Sequence, residues 1–397
     1  MTHPHHHAPL VRTVHHDLND RPFLLVWEVT RACQLVCRHC RADAQFVPDP
    51  LQLSTEEGKA LLDDLASYPD GRPMVVISGG DAFEREDLAE LIRYGTEAGL
   101  PISLSPSVTP KFTDERLAEI KAAGTKAMSL SLDGATAATH DAFRGIDGTF
   151  EATLRAAELI VKHGFRFQVN TTICADNLDE LPQIVNTVRQ MGAHLWYVLF
   201  LVPMGRGSHL GPLTPEQEED VLNWLHDVSD WIPVKVTEAP NYRRIVLQRD
   251  AEADGEIAGD GNPAPPRGEL YHRLLAETRE LMGEPERVRV RRPPIGVNSG
   301  RGFAFIDHVG HVHPSGFLPH DAGSVRERSF KDIYRDDPMF RALRDPSGYS
   351  GKCGVCEFND VCGGSRARAF AMTGDPLASD PTCAYQPRAV TSGAASR

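Results

Sequence analysis

Seven of the eight cysteines in this chain fall into two groups, and these groups carry its clearest chemical signal. Cys33, Cys37 and Cys40 form the first group, with the spacing C-x3-C-x2-C directly after a short apolar run. Three thiolates can ligate three irons of a [4Fe–4S] cluster and leave the fourth iron open to a substrate or cofactor. A structural zinc ion takes four protein ligands, and His39 lies within the triplet as a possible fourth. The spacing favours an iron–sulfur cluster over zinc.

The second cysteine group has the spacing C-x2-C-x5-C-x20-C near the C-terminus. Its members are Cys353, Cys356, Cys362 and Cys383. Four thiolates form a closed site that suits either a fully ligated [4Fe–4S] cluster or structural zinc, and the spacing alone does not choose between them. The eighth cysteine, Cys174, has no partner in the sequence, and we interpret it as a buried bystander.

Composition restricts the class of protein that carries these groups. The chain has 397 residues and a formal net charge of −13, which argues against a nucleic-acid partner. No stretch approaches the ~20 consecutive apolar residues of a membrane span, and the N-terminus lacks an apolar signal-peptide core. We therefore expect a cytoplasmic protein without a membrane partner. Clustered cysteines in a reducing compartment indicate metal or redox chemistry.

Alternating strand and helix patterns must position the first group. The sequence predicts strands at 23–29, 74–78, 102–106, 127–132, 166–173 and 194–202. Helical patterns lie between them, the first opened by a capping box at Ser54 and Glu57 and the others at 86–98, 114–123, 150–163 and 177–191. Such alternation predicts right-handed βαβ units and a parallel sheet. Six units predict an α/β fold with a partial (β/α)6 TIM-type barrel, whose ligands gather at the C-terminal strand ends.

Further motifs at these strand ends carry a family resemblance. The triplet, with His39 before its last cysteine, resembles the signature of radical S-adenosylmethionine (SAM) enzymes. The second predicted strand ends in a sequence similar to the GGE motif of that family, which holds the SAM amino group, with aspartate in place of glutamate. The residues of this motif are Ser78, Gly79, Gly80 and Asp81.

Four more residues match SAM contacts of the family. Ser105 and Ser107 match the contacts to the ribose, and Ser131 and Arg144 match those to the carboxylate, for which a guanidinium fork is suited. The resemblance implies that a cluster at the triplet cleaves SAM reductively. The resulting 5′-deoxyadenosyl radical abstracts hydrogen from a substrate, and flavodoxin or ferredoxin supplies the electron.

The second cysteine group resembles the SPASM/twitch extension of radical SAM enzymes, which carries auxiliary clusters. Full SPASM domains have seven cysteines, whereas this chain has Ser315, Ser365 and Ala304 at positions where related sequences place cysteines of the other cluster. We therefore expect one auxiliary [4Fe–4S] cluster in a small α+β domain. Such a cluster would accept the electron left on the substrate radical.

From about residue 22 to 388 the chain is most similar to haem-biosynthesis enzymes of the Fe-coproporphyrin decarboxylase type, and more distantly to mycofactocin and pyrroloquinoline-quinone peptide maturases. The resemblance implies oxidative decarboxylation or dehydrogenation of a carboxylate-bearing tetrapyrrole. A peptide substrate is the alternative. A non-enzymatic iron–sulfur sensor or carrier is an alternative of another class, against which the SAM motifs argue.

These interpretations divide the chain into a few parts. The expected boundaries are a His-rich flexible tail at 1–21, the barrel at 22–235, a connecting segment at 236–300 with a mobile loop at 250–266, the auxiliary cluster domain at 301–390 and a tail at 391–397.

Three basic segments are weaker candidates for binding a carboxylate-bearing substrate. They are the arginines Arg287, Arg289 and Arg291, the run Tyr242, Arg243 and Arg244, and the histidines His308, His311 and His313. We interpret them respectively as a solvated edge strand, a surface helix and solvent-facing side chains.

Overall fold

A computed structural model gives the fold of residues 17–69, 71–256, 264–286, 289 and 294–390. The strands are β1 (Leu24–Glu28), β2 (Met74–Ser78), β3 (Ile102–Leu104), β4 (Ala127–Ser131), β5 (Arg166–Ile173), β6 (Leu195–Phe200), β7 (Val234–Thr237), β8 (Asn298–Ser299), β9 (Gly302–Ile306) and β10 (Val312–His313). The helices are α1 (Thr55–Ala66), α2 (Leu88–Glu97), α3 (Asp114–Ala122), α4 (Ala137–Arg144), α5 (Thr149–Lys162), α6 (Leu181–Gln190), α7 (Pro215–Val228), α8 (Tyr242–Ala253), α9 (Glu269–Met282), α10 (Phe330–Asp336), α11 (Pro338–Arg344), α12 (Gly351–Gly354) and α13 (Arg366–Thr373).

The first seven strands form a parallel sheet in chain order, which confirms the predicted half-barrel. Residues that point toward the helices, such as Trp27 and Ile77, are fully buried. Their neighbours on the opposite face, such as Val26 and Ser78, are partly exposed. The alternation follows from the two-residue period of a strand, and it leaves the concave face of the half-barrel accessible.

The C-terminal strands extend this same sheet. Strand β9 pairs with β1 in parallel, β10 pairs with β9 in antiparallel fashion, and β8 pairs with the start of β9. Strands β9 and β10 therefore lie at the edge of the barrel sheet next to β1. Sequence patterns did not indicate this pairing because it joins strands almost 280 residues apart.

Most predicted helices are present, and α1 begins with the predicted capping box. The Glu57 amide donates to Ser54 Oγ at 3.3 Å, and the Ser54 amide donates to Glu57 Oε2 at 2.8 Å. Helix α4 was not predicted, because its eight residues, AATHDAFR, contain only one large apolar side chain, Phe143.

The predicted mobile loop at 250–266 is wrong in its first part, since α8 continues to Ala253. Residues 257–263 lie outside the described residues, as do residues 1–16 and 391–397 of the predicted tails and Arg287 and Arg291 of the predicted edge strand. Within the described ranges, no helix has the length and apolar character needed to cross a membrane.

Candidate active site

The first cysteine group lies in the loop that follows β1, at the C-terminal edge of the sheet. Cys33 and Cys37 are buried, Cys40 is partly exposed, and Cys33 and Cys37 pack with Leu35. The Leu35 amide donates to Cys33 Sγ at 3.3 Å. Burial raises the pKa of the Cys33 thiol to about 11. Thiols in such a place become thiolates when a metal supplies the positive charge.

The segment after β2 holds this cysteine loop through its backbone. The Gly80 amide donates to Thr30 O at 2.8 Å, and the Asp81 amide donates to Ala32 O at 2.7 Å. A Cβ atom on Gly80 would lie 2.5 Å from Ala32 O. Glycine is therefore required at position 80 by the close approach of two backbones. Gly79 faces the same constraint, because its Cβ would lie 2.6 Å from Thr30 O.

The Asp81 carboxylate is directed into the protein, toward the loop after β3. Its Oδ1 accepts hydrogen bonds from the amides of Phe83 (3.1 Å) and Ser107 (3.2 Å), and its Oδ2 accepts one from the Thr109 hydroxyl (2.6 Å). Burial raises the pKa of Asp81 to about 6, although these hydrogen bonds act in the opposite direction. In this geometry Asp81 connects the second and third strand ends.

The predicted serines are distributed along the neighbouring strand ends. Ser107 Oγ donates to Gly80 O at 2.7 Å and lies 3.8 Å from Cys33 Sγ, so the structure brings it to the cysteine loop. Ser105 Oγ accepts from Ser129 Oγ at 2.7 Å. Ser78 and Ser131 end their strands on the concave face, where both are partly exposed.

Arg144 ends α4 and is buried beside the cysteine loop. It forms a salt bridge with Asp133, and its Nη1 lies 3.8 Å from Cys37 Sγ. Burial raises the pKa of Asp133, but the charges of Arg144, His39 and His140, together with a hydrogen bond from the Thr172 amide, keep that pKa below its usual value. Sequence reasoning missed Asp133, although it follows Ser131 by two residues in the motif that contains Arg144.

Buried polar nitrogens without a hydrogen-bond partner lie beside the first cysteine group and indicate whether the site fits an anionic group. The Arg206 amide donates to Cys40 O at 3.0 Å, while the Nε and Nη2 atoms of Arg206 are buried and have no hydrogen-bond partner among the described residues. The same holds for Nδ1 of His39, whose ring stacks on Phe143 with 4.7 Å between centroids. Three cysteines beside buried, unsatisfied donors fit a cluster with thiolate ligands.

All four cysteines of the second group line one pocket of about 370 Å³. Backbone amides donate to two of the sulfurs, from Asp380 to Cys353 Sγ and from Gly364 to Cys362 Sγ, both at 3.4 Å. Within the part of the chain that the structure describes, no three Cys, His, Asp or Glu side chains are close enough to share a single metal ion. The chemistry of the site is that of its donor set, because four cysteine sulfurs around one pocket suit a [4Fe–4S] cluster or structural zinc.

The expected surface position of the run 242–244 is wrong. Arg244 is 1% exposed, forms a salt bridge with Glu219 and lines the four-cysteine pocket. Arg243 donates to the carbonyl of Val361 at 3.0 Å, next to Cys362. Helix α8 thus packs its arginines against the C-terminal segment, where charge patterning suggested solvent.

The three residues that stand where related sequences have cysteines are placed differently in the structure. The Ser365 hydroxyl is fully buried, donates to Glu238 at 2.8 Å and caps α13 by accepting from the Arg368 amide. Ala304 is buried within β9. Ser315 lines a second pocket, of about 540 Å³.

This second pocket adjoins the loop of the first cysteine group, because Arg41 and Ala42, which follow Cys40, line it. His308 also lines it, and the expected solvent-facing position of His308 is wrong. It is buried between Glu28 and Asp49, with ring nitrogens 3.0 and 3.2 Å from their carboxylates. Of the other basic candidates, His311 is exposed and pairs with Asp321, His313 lies near Asp307, and Arg289 pairs with Asp250.

A parallel half-barrel with a cysteine triplet after its first strand is a combination that can be looked for in known proteins. Residues 27–188 match the model of the Radical SAM superfamily. The chain is 42% identical to an AdoMet-dependent heme synthase of Oleidesulfovibrio alaskensis over 92% of this chain and 88% of the relative. It is 40% identical to that of Nitratidesulfovibrio vulgaris over 98% of both chains.

Among solved structures, Streptococcus suis SuiB bound to S-adenosylmethionine superimposes with a TM-score of 0.65 at 13% identity, over 92% of this chain and 78% of that chain. This chain belongs to the radical SAM superfamily and is an enzyme of radical chemistry. Membership implies SAM and a [4Fe–4S] cluster as cofactors and confirms the resemblance drawn from the sequence.

Proposed function

We propose that this enzyme decarboxylates carboxylate-bearing side chains of a tetrapyrrole oxidatively. The main support is the pair of relatives named heme synthases, each more than a third identical to this chain over most of both chains. The cysteine loop lies at the open end of a concave, partly polar sheet face, where a large substrate has access. When bound, the cluster and SAM supply the one-electron and hydrogen-abstracting chemistry.

The cofactor sites follow from the geometry of the strand ends. Cys33, Cys37 and Cys40 would hold the catalytic cluster. The predicted SAM contacts, Ser78, Gly79, Gly80, Asp81, Ser105, Ser107, Ser131 and Arg144, follow the strand ends from β2 to β4 and the helix beyond. Asp81 would act mainly by holding the loops that form this surface, because the described hydrogen bonds already engage both of its oxygens.

Two features of the concave side suit a substrate with carboxylates. Ser131, Asn170, Tyr197 and Lys235 are paired across four adjacent strands and form one polar row, in which the Lys235 ammonium lies 4.6 Å from the centre of the Tyr197 ring. The pocket beside the first cysteine group adds Arg31 and Arg41, of which Arg41 is paired with Glu28. Cations and an aromatic ring match the charge and the flat surface of a tetrapyrrole.

The four-cysteine pocket would hold one auxiliary [4Fe–4S] cluster, with Cys353, Cys356, Cys362 and Cys383 as ligands. Its support is the shared pocket and the amide hydrogen bonds to two of its sulfurs. A flavodoxin or ferredoxin would deliver electrons to the enzyme.

The test is anaerobic. Reconstituted protein is expected to contain about eight irons, with two EPR signals after reduction, of which one changes when SAM is added. Fe-coproporphyrin III, SAM and reductant should then give 5′-deoxyadenosine, carbon dioxide and a porphyrin with fewer carboxylates. If deoxyadenosine forms but only a peptide substrate is modified, the tetrapyrrole assignment is wrong. If no deoxyadenosine forms with any substrate, an iron–sulfur carrier becomes the better description.

A further inference from the structure

The four-cysteine pocket is bordered by positive side chains, and one of them is unusual. Arg366 is fully buried, and its Nη2 donates to Cys353 Sγ at 3.7 Å. Its other donors reach only carbonyl oxygens, among them Ala378 O at 2.7 Å and Gly364 O at 3.2 Å. In the described part of the chain, no carboxylate forms an ion pair with Arg366.

A buried guanidinium without a counterion loses several kcal/mol of hydration. The hydrogen bonds of Arg366 to carbonyl oxygens, and the Tyr349 ring 4.4 Å from its Cζ, offset this loss only in part. Two further cations lie close by, since Arg243 donates to the carbonyl of Val361, next to Cys362, and the Lys352 ammonium donates to Cys383 O. Arg244 is already balanced by Glu219. The missing negative charge is therefore expected in the pocket itself, where four thiolates would provide it.

Nearby acidic groups offset only part of this excess. Glu218 and Asp380 are both bound to Arg368, and that buried group of three carries one net negative charge. Glu238 accepts from the Ser365 hydroxyl. The Asp380 carboxylate accepts from the Ser365 amide, and the amide of Asp380 itself, not its carboxylate, contacts Cys353 Sγ.

The loop of the first cysteine group also lies beside arginines. There, Arg144 contacts Cys37 Sγ and is paired with Asp133, while the Nε and Nη2 atoms of Arg206, next to Cys40, are buried without a partner among the described residues. Positive charge is therefore present at both cysteine groups, and the effect of Arg366 is expected at its own site. Reduction adds one negative charge to a cluster, and a fixed positive charge stabilises the reduced form more than the oxidised form.

We propose that Arg366, supported by Arg243 and Lys352, is the countercharge of the group bound by the four cysteines and raises the reduction potential of that group. This inference rests on the proposed function, which places a redox-active cluster in this pocket. It assigns to these side chains the task of making that cluster easier to reduce.

The experiment is an EPR-monitored redox titration of the complete, reconstituted enzyme with dithionite, without substrate. The signal that SAM does not change reports the C-terminal site. In Arg366→Met, the ratio of reduced to oxidised cluster at a fixed solution potential should fall on the order of tenfold, which corresponds to about 59 mV for one electron. Arg366→Lys, which keeps the charge, should recover most of the shift. Arg341→Met removes an arginine that is 62% exposed and should leave the potential unchanged.

An unchanged ratio in Arg366→Met with full iron content would overturn the proposal, as would a shift of equal size in Arg366→Lys. If Arg366→Met loses the C-terminal iron while Arg366→Lys retains it, the countercharge role is supported, whereas loss in both variants indicates a steric role and overturns it. Zinc in the wild-type pocket also overturns it. Failure of the proposed function is seen separately, because wild-type enzyme would then leave Fe-coproporphyrin III unchanged whatever the two potentials are.

Discussion

Replacing Asp81 separates two roles that this aspartate could have in the enzyme. Family resemblance implies a contact between its charge and the SAM amino group, whereas the structure engages its oxygens with Phe83, Ser107 and Thr109. Asp81→Ala leaves two buried backbone N–H groups without an acceptor. At about 1–3 kcal/mol for each stranded donor, and with some relief from removing a buried carboxylate, we expect a loss of about 2–5 kcal/mol of unfolding free energy.

Asp81→Asn is the informative partner of that variant. The carboxamide oxygen can accept from both amides, and its NH2 group can donate to the Thr109 hydroxyl, which is able to reverse its role. We expect the asparagine variant to lose at most about 1.5 kcal/mol. Its Kd for SAM should stay within about threefold of wild type, a difference below about 0.7 kcal/mol.

The assay combines anaerobic urea unfolding, followed by tryptophan fluorescence, with SAM binding by calorimetry on cluster-loaded protein. Asp114→Ala is the control, because it removes a 43% exposed carboxylate that pairs with Lys162 and should change stability by less than about 1 kcal/mol. The reasoning would be refuted if Asp81→Asn unfolded at the wild-type urea midpoint but bound SAM at least tenfold more weakly, because Asp81 would then not act mainly by holding the loops. That result would show that the charge itself contacts the cofactor.

Three other predictions follow from the same geometry. Gly80→Ala should displace the cysteine loop and lower deoxyadenosine formation at least tenfold, since the new Cβ would lie 2.5 Å from a backbone oxygen; Gly348→Ala, with no atom within 4 Å of the new Cβ, is the control. Cys37→Ala should abolish deoxyadenosine formation. Cys356→Ala should still cleave SAM but form no product. Full product turnover in Cys356→Ala would exclude an electron-accepting role for the C-terminal site. Arg368→Met strands two buried carboxylates and should cost about 3–5 kcal/mol in urea unfolding, so a loss below about 1 kcal/mol would mean that the triad contributes little.

The sequence was most informative where local pattern decides structure. Apolar runs such as MVVIS predict strand β2 to the residue, because β-branched apolar side chains favour strands. The cysteine triplet and the glycine pair at 79–80 could likewise be recognised in the sequence. Only cysteine supplies the thiolate ligands, and only glycine allows the close approach of the two backbones. These signals sufficed for the half-barrel, the family and the candidate ligands.

Contacts between distant segments were not readable in this way. Arginine is mostly a surface residue, yet the fold buries Arg244 and Arg366 beside the cysteines. Helix α8 packs Arg244 against the C-terminal segment, whereas Arg366 is buried among the carbonyl groups of Gly364, Pro376 and Ala378. Asp133 was overlooked for the same reason, because its importance lies in the salt bridge to Arg144 across the end of α4. A charged residue is expected at the surface unless a partner for its charge is known, and that partner is known only once the fold is known.

The pairing of β9 with β1 has a consequence for how the two cysteine sites are connected. The first group follows β1 directly, and β8, paired with β9, places the Asn298 side chain 2.8 Å from Gly364 O and 3.3 Å from Cys362 O. Both groups are therefore joined to one hydrogen-bonded sheet, the first through β1 and the second through β8, with β9 pairing to both strands. The sheet thus links two cysteine groups that lie more than 300 residues apart in the chain, and this explains why sequence patterns alone did not place them in one unit.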